Sequence, residues 1–569
     1  MALHLHRRGA PAPARAALAL LAAAAALSLP ALPGCGGGGA VPAADGGGSG
    51  TGGGSTGGGG SGGTALPPVD VSRVAAADPG SALPEGWSGG AFMQVFVRSY
   101  QDSDGDGVGD LRGLISRLDY LRDLGVRGLW LMPVHPSQDR DHGYAVTDYR
   151  AIEPAYGSMA DFDELLRQAH ARGIGVVIDY VINHSAAQHA LFVNARSGAG
   201  NPYRGWYLWQ SARPTGWNIY GSDPWRSNPD GSWYFAPFWD QMPDFNLRNA
   251  EVVTWHHDNL RFWLNRGVDG FRFDAVGHLV ENGPSAWTDQ PETLPLLRDA
   301  AALLAGYPRR FLVCEGPNRP HDYSAACGSA FAFGLQAHML DAARGNAGAV
   351  AAMAAYVGAA PPGMSTMLAN HDSFAGDRVF DQLGGNLAQY RLAAATYLLL
   401  PGTPFIYYGE EIGLARGPLA GDPGLRTPMS WTGDTRNGGF TTGTPYRVLS
   451  ANVAAANVAA QAADPGSLLQ HYKTLLALRN GLPALARGSF DAARVQGAAW
   501  SFERRFAGQR VLVAINYDTR PAALALGGLP AGGTLRSRHP AGGADAPVDA
   551  DGAVSLALPA QTVRVFLVD

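Results

Sequence analysis

The sequence predicts a (β/α)8 barrel with an inserted domain after its third strand and a small antiparallel β domain at its C-terminus. Three observations carry that class. Short apolar runs at 91–97, 128–133, 175–181, 268–273, 311–314, 331–335, 365–368 and 404–408 alternate with amphipathic segments, clearest at 111–124, 161–172, 251–265, 293–305, 387–400 and 467–479. Eight strand-helix pairs suit a closed barrel, whereas six or seven would also fit a doubly wound sheet. The spacing breaks once, between the third run and the segment at 251, by far more chain than a strand-to-helix loop uses. Past residue 484 the helical pattern gives way to alternating runs at 498–502, 511–516, 522–526 and 562–568, separated by Gly, Pro and Asp turns.

Taken in order, the chain opens with Arg7, Arg8 and Arg15 before an Ala/Leu-rich run at 16–29, too short to span a bilayer as a mature helix and built like an export signal. It ends in Leu32-Pro33-Gly34-Cys35, which resembles the lipobox at which bacterial lipoproteins are cleaved and acylated. Cys35 is therefore expected to carry a lipid that anchors the protein at the outer membrane or cell surface, in the periplasm or outside the cell. Residues 36–64 are almost wholly Gly, Ser, Thr and Ala, a composition that buries no apolar surface and behaves as a tether. The expected organisation is a signal peptide at 1–35, a Gly/Ser-rich linker at 36–84, a barrel at 85–184 and 245–484, an inserted domain at 185–244 and a C-terminal β-sandwich at 485–569.

With 569 residues, 46% of them hydrophobic, the chain can bury a large core. A net charge of -5 without a basic stripe excludes nucleic acid as a partner. Cys314 lies inside an apolar run, which favours a buried thiol over a bridge to Cys327. The chain is expected to act as a monomer.

Charged residues gather where the predicted strands end. The fourth run reads Val268-Asp-Gly-Phe-Arg-Phe-Asp274, the fifth Leu312-Val-Cys-Glu315, the third Asp179-Tyr-Val-Ile-Asn-His184, and the seventh is followed by Asn370-His-Asp372. A strand buried on both faces has no structural use for a charge pair at its end, whereas catalysis at a barrel mouth does. Glycosidases that retain configuration need a carboxylate nucleophile and a carboxylic acid about 5 Å apart, the acid with a raised pKa. Asp274 and Glu315, on adjacent strands, suit those parts. Arg272, two residues before Asp274, shares its face and is expected to hold the nucleophile ionised, while the apolar surroundings of Glu315 are expected to raise its carboxyl. Asp372, His371 and His184 could hold the hydroxyls of a distorted sugar. Metal-assisted hydrolysis would use similar groups, but Arg272 is a poor neighbour for a cation.

Two further features bear on ligands. The insert is rich in aromatic residues, among them Trp206, Trp217, Tyr220, Phe238 and Trp239, of which most should form its own core and a few could stack on sugar faces. The loop Asp102-Ser-Asp-Gly-Asp-Gly-Val-Gly-Asp110 places acids at every second position, as a Ca²⁺ site requires, with Asp102, Asp104, Asp106, Asp110 and the Val108 carbonyl as ligands.

Together with Gln241-Met-Pro-Asp-Phe-Asn246 and Tyr407-Tyr-Gly-Glu-Glu-Ile-Gly413, these motifs resemble those of the α-amylase superfamily of glycoside hydrolases, over about residues 88–569. The resemblance implies Asp274 as nucleophile, Glu315 as general acid/base and Asp372 as transition-state stabiliser. It implies Tyr144 stacked under the cleaved sugar, with His184, Arg272 and His371 contacting the sugar or the nucleophile. The calcium loop is similar to that of the branch holding oligo-1,6-glucosidases and some α-amylases. Ala275 and His278 resemble the α-amylase pattern after the nucleophile, and place His278 among the substrate-binding residues, although Gly277 stands where Lys is usual. The Met-Pro-Asp-Phe-Asn motif pulls towards neopullulanase-like members. An α-amylase acting on internal α-1,4 bonds of starch, glycogen and maltooligosaccharides is the leading expectation. An α-glucosidase, an oligo-1,6-glucosidase, a neopullulanase-like enzyme, a transglycosylase of trehalose synthase or glucanotransferase type, or a glucan-binding lipoprotein are the alternatives.

Overall fold

The computed structural model describes residues 65–139 and 141–569. The signal peptide, Cys35 and the 36–64 tether lie outside the described residues.

Parallel strands Phe92–Val95, Gly128–Leu131, Gly175–Tyr180, Gly270–Phe273, Phe311–Cys314, Ser365–Thr366 and Thr403–Tyr407 form one sheet, with the first strand paired to both the second and the last. The sixth strand, expected over 331–335, shrinks to Ala330 and Phe331. They bridge Cys314 on one side and Ser365 on the other and so close the ring. Leu335 instead opens the helix Leu335–Ala343, because Ala332 N already bonds Ser365 O and the chain turns away. The helix expected over 111–124 breaks at Arg117 into Leu111–Ser116 and Leu118–Leu124.

Period-two alternation sorts every strand into two faces. Met93, Leu129, Leu131, Val176, Ile178, Phe271, Phe273 and Cys314 face the helices in the main core. Phe92, Trp130, Val177, Val313, Phe331, Met367 and Phe405 fill the interior. Aromatic rings dominate that filling: Trp87 lies 5.3 Å from Phe92, Phe92 4.9 Å from Phe405, and Phe331 5.0 Å from Phe405 and 5.2 Å from Trp130. The same alternation brings Gln94, Asp179, Arg272, Asp274 and Glu315 onto the interior face one or two steps later, where the barrel opens.

The cysteines overturn one expectation. Cys314 and Cys327 form a disulfide, with Cα atoms 6.3 Å apart. The chain leaves the fifth strand, passes Glu315 and returns along the helix Pro320–Cys327, which delivers the second thiol to the first. An apolar strand position reads as a buried thiol in one dimension, but this return is a tertiary event.

Residues 67–84 depart from the expected linker. Pro67 O accepts from Asn194, Asp70 O from Trp255 Nε1, Ser72 O from Arg150, Ala75 O from Asn265 and Leu83 O from Arg309. This strap runs down the barrel's flank because Gly and Ser give way to Pro, Val and Leu after residue 64.

Between the third and fourth strands, Trp209–Gln210, Trp225–Ser227 and Trp233–Phe235 make a three-stranded antiparallel sheet. Ile219, Trp225 and Phe235 form its own core with Trp217 and Trp233 packed against them. Beyond residue 490 a six-stranded antiparallel sheet and the pair Ala522–Leu526 and Val554–Leu558 enclose Leu512, Leu524, Leu556 and Phe566, while Trp500, Phe502, Val513 and Val565 face the barrel. Among the described residues no helix is long and apolar enough to cross a membrane.

Candidate active site

Arg272 is the hub of the barrel mouth. Its side chain is wholly buried. Nη1 donates to Asp179 Oδ1 at 2.8 Å and Asp274 Oδ1 at 2.7 Å, and Nη2 pairs with Glu315 Oε2 at 2.8 Å. Two carboxylates on neighbouring nitrogens of one planar fork lie only a few ångströms apart. The guanidinium is also over the ring of Trp130, 5.0 Å from its centroid, so one interior aromatic supports the cation.

The sharing corrects two expectations. Arg272 does pair with Asp274, yet its charge is divided among three carboxylates, and burial pushes Asp274 well above the usual carboxylate range with Arg272 opposing. Glu315 does not sit in purely apolar surroundings, since Oε2 also accepts from Ala275 N at 3.0 Å. Its Oε1 has no partner among the described residues. Burial lifts Asp179 to about 6 and Asp372 to about 7. One cation thus faces three carboxylates, and burial favours the protonated form of Asp179 and Asp274 against its pull.

Backbone strain falls in the same place. Ala275, directly after Asp274, has φ 46° and ψ 38°, the left-handed region that non-glycine residues rarely adopt. The twist turns its amide onto Glu315 and its chain into the short helix Val276–His278.

Asp372 meets the site from the seventh strand. A relay fixes it: Gln94 Nε2 donates to His371 Nδ1 at 2.7 Å, which leaves Nε2 of a neutral imidazole to face Tyr144 Oη at 2.8 Å and Asp372 Oδ2 at 3.1 Å. Burial and the nearby arginines keep His371 neutral by pushing it well below its ordinary value. Tyr144 stacks on His371 with rings 5.5 Å apart and 12° from parallel, and its hydroxyl donates to Asp179 Oδ2. Arg426 Nη2 reaches Asp372 Oδ1 at 3.3 Å and Asp422 Oδ2 at 3.2 Å.

His184 and His278 complete the predicted set. His184 is buried, its Nε2 has no partner among the described residues, and burial takes it to about 3. His278 Nε2 bonds Tyr220 Oη at 2.9 Å, stacks on Trp287 and is lowered to about 4 by burial. A side chain at Gly277 would be tightly placed, since a Cβ there would lie 3.0 Å from Asp289 Oδ1 and 3.2 Å from Thr288 Oγ1, side-chain atoms that would have to give way. From the insert, Phe238 is 40% exposed and stands 5.5 Å from His184, and Trp239 is 39% exposed.

Sequence reasoning missed Gln94, Asp179 and Arg426 as site residues. Asp179 carried a signal, a lone acid inside an apolar run one alternation from the strand's end. Gln94 carried a weaker one of the same kind, and Arg426 none, since it lies in a loop.

The acidic loop is only partly as expected. Asp102, Asp104 and Asp106 bring ligand oxygens within 4.8 Å of one another. Val108 follows with its amide on Asp106 Oδ1. Asp110 stands apart from that group: Oδ1 caps the helix Leu111–Ser116 through Gly113 N, and Oδ2 accepts from Ser103 N.

A closed parallel barrel whose carboxylates converge on its C-terminal mouth has the arrangement in which (β/α)8 enzymes build their active sites. The chain belongs to the α-amylase family, since residues 94–488 match the model described as alpha amylase, catalytic domain. It is 36% identical to Alpha-amylase 3 of Dictyoglomus thermophilum, covering 71% of this chain and 80% of that protein. It is 32% identical to a probable alpha-glucosidase of Rhizobium meliloti, covering 77% and 90%. The crystal structure of the alpha-glucosyl transfer enzyme XgtA matches with a TM-score of 0.73 and 32% identity over 85% of this chain and 99% of that one. The protein is thus a glycoside hydrolase or transglycosylase of this family.

Proposed function

We propose that this protein cleaves α-glucosidic bonds with retention of configuration, acting chiefly on α-1,4 linkages of starch-like glucans and maltooligosaccharides. The observation that carries the proposal is the fork of Arg272, which holds Asp274 on one nitrogen and Glu315 on the other. That spacing suits a nucleophile and an acid flanking one glycosidic bond, at the roughly 5 Å of retaining enzymes rather than the wider gap of inverting ones.

In this reading Glu315 gives a proton to the leaving oxygen as Asp274 attacks the anomeric carbon, and a covalent glycosyl-enzyme results. Glu315, now ionised, takes a proton from water or an acceptor hydroxyl, whose oxygen displaces Asp274. Arg272 stabilises whichever carboxylate carries the charge. Asp372, held by His371 and Arg426, binds hydroxyls of the flattened ring, and neutral His184 offers Nε2 to another. Tyr144, tied to Asp179 and His371, presents its ring beneath the sugar.

Ala275 and His278 support α-1,4 cleavage. A second reading, exo action or glycosyl transfer, is favoured by the charged wall beyond Asp372, where Arg447 pairs with Asp141 at 2.7 Å and Arg426 approaches Asp141 at 4.0 Å. Such a wall would close the cleft after one sugar, and relatives named alpha-glucosidase and alpha-glucosyl transfer enzyme agree with it. Incubation with starch, maltotriose, pullulan and sucrose separates the readings. Mixed short maltooligosaccharides from starch are expected, glucose alone at early times points to exo action, and Asp274→Asn should remove several orders of magnitude of turnover on every substrate.

The same proposal includes Ca²⁺ at Asp102, Asp104 and Asp106. Oxygens within 4.8 Å of one another fit a cation that binds oxygen at roughly 2.3–2.6 Å. Its part would be structural, pinning the loop after the first strand to the 440s segment that Asp102 already touches through Thr441. Export and lipid anchoring rest on the sequence of 1–64, and a disulfide beside Glu315 is in keeping with an oxidising compartment.

A further inference from the structure

The aromatic filling of the barrel does not stop beneath the acids. Phe331 continues to Phe333, ring centroids 6.3 Å apart, and Phe374 stacks on Phe333 at 5.6 Å and 28°. Phe333 is buried, but Phe374 leaves 52% of its surface exposed.

Phe374 is not at liberty to fold away. It sits in the short turn Ser373–Ala375 that follows Asp372, and the turn is clamped on both sides. Ser373 donates from its amide at 2.9 Å and its hydroxyl at 2.6 Å to Asp422 Oδ1, and Asp422 shares Arg426 Nη2 with Asp372. Ala375 is buried, and its amide returns to Asp372 O at 3.1 Å. One frame therefore fixes both the Asp372 carboxylate and the Phe374 ring. A large apolar face held in water beside a polar site, by bonds that could as well have held a Ser or Asn there, asks for a ligand.

Strand order says which side the ring serves. Glu315 ends the fifth strand, Phe333 follows the sixth and Phe374 the seventh, so the stacked pair leans towards Glu315. The charged wall of Asp141, Arg426 and Arg447 comes from the loops after the second and eighth strands, and so flanks the seventh strand on the side away from Phe333. A general acid faces the oxygen that leaves, so the sugar beyond the cleaved bond, or the acceptor that attacks in reverse, lies on the side of Glu315.

We propose that Phe374, backed by Phe333, is a binding platform for the leaving-group or acceptor sugar and sets how strongly that unit is held. The inference rests on Glu315 being the general acid. An aromatic face against the C–H face of a pyranose is the expected contact, and its loss is worth about tenfold in binding of that unit.

The test compares two substrates that form the same glycosyl-enzyme. Maltotriose has a sugar leaving group, whereas α-glucosyl fluoride has none. In Phe374→Ala, kcat/KM on maltotriose should fall about tenfold more than on the fluoride, transfer to added maltose should fall with it, and Phe374→Tyr should recover both. Equal losses on the two substrates, or none on maltotriose, would overturn the platform while leaving the acids in place. Wild-type enzyme inert towards the fluoride would overturn the assignment of Asp274 and Glu315, and the platform with it.

Discussion

Replacing Arg272 tests the organising claim, that one guanidinium serves three acids. The geometry is demanding: Asp179 at 2.8 Å, Asp274 at 2.7 Å and Glu315 at 2.8 Å are reached from two nitrogens of a side chain with no exposed surface. Taking away the partner of a buried ion pair costs roughly 3–5 kcal/mol, and each 1.36 kcal/mol is tenfold, so Arg272→Met should lose roughly three orders of magnitude in kcat/KM. The pH profile should move as well. Arg272 is the largest influence holding Asp274 and Asp179 down against burial, so without it both titrate at higher pH. Catalysis needs Asp274 ionised, and the acidic limb of kcat/KM on maltotriose must shift upwards. Arg272→Lys keeps a point charge but loses the fork, and should restore the limb better than the rate. Circular dichroism would establish that both variants fold. Activity within tenfold of wild type in a folded Arg272→Met with an unmoved limb would refute the reasoning.

Two more predictions concern stability. Glu410 is buried, with Oε1 held by the hydroxyls of Tyr397 and Tyr472 and no cation paired with it among the described residues, and burial raises it to about 7 from 4.5. A raised acid contributes stability that is complete below pH 4.5 and lost as pH climbs through 7. Glu410→Gln has no such proton, so the variant should gain about 3 kcal/mol on wild type between pH 4.5 and 8 in denaturant melts; parallel curves would mean the burial is relieved elsewhere. Chelation should lower the melting temperature, Ca²⁺ should restore it, and Asp104→Asn should blunt both effects. A melting temperature indifferent to chelator in wild type would remove calcium from the proposal.

Much of the site was legible because its parts are local. Asp274 and Glu315 follow apolar strands at the phase that points inward, and Arg272 shares that phase with Asp274. Asp179 obeys the same rule one strand earlier and was readable on it. Arg426 was not, because a loop arginine is chemically indistinguishable from any surface arginine until the loop returns over the mouth. Asp110 shows how one residue can carry two readings: its spacing suits both a cation loop and a helix cap, and in the fold its side chain caps the helix Leu111–Ser116.

By itself the sequence determined the strand-helix rhythm, the side of the barrel that would carry chemistry and the acids at its rim. Those follow from alternation and burial, which act over a few residues. Only the tertiary structure decided that the sixth strand survives as two bridging residues, that Cys314 finds Cys327, that residues 67–84 bind the flank, and that Gln94 orients His371 across 277 positions of chain. Each of these is a meeting of segments whose own patterns are satisfied by other partners as well. Closure of the ring, which fixes which ends become neighbours, is what selects among them.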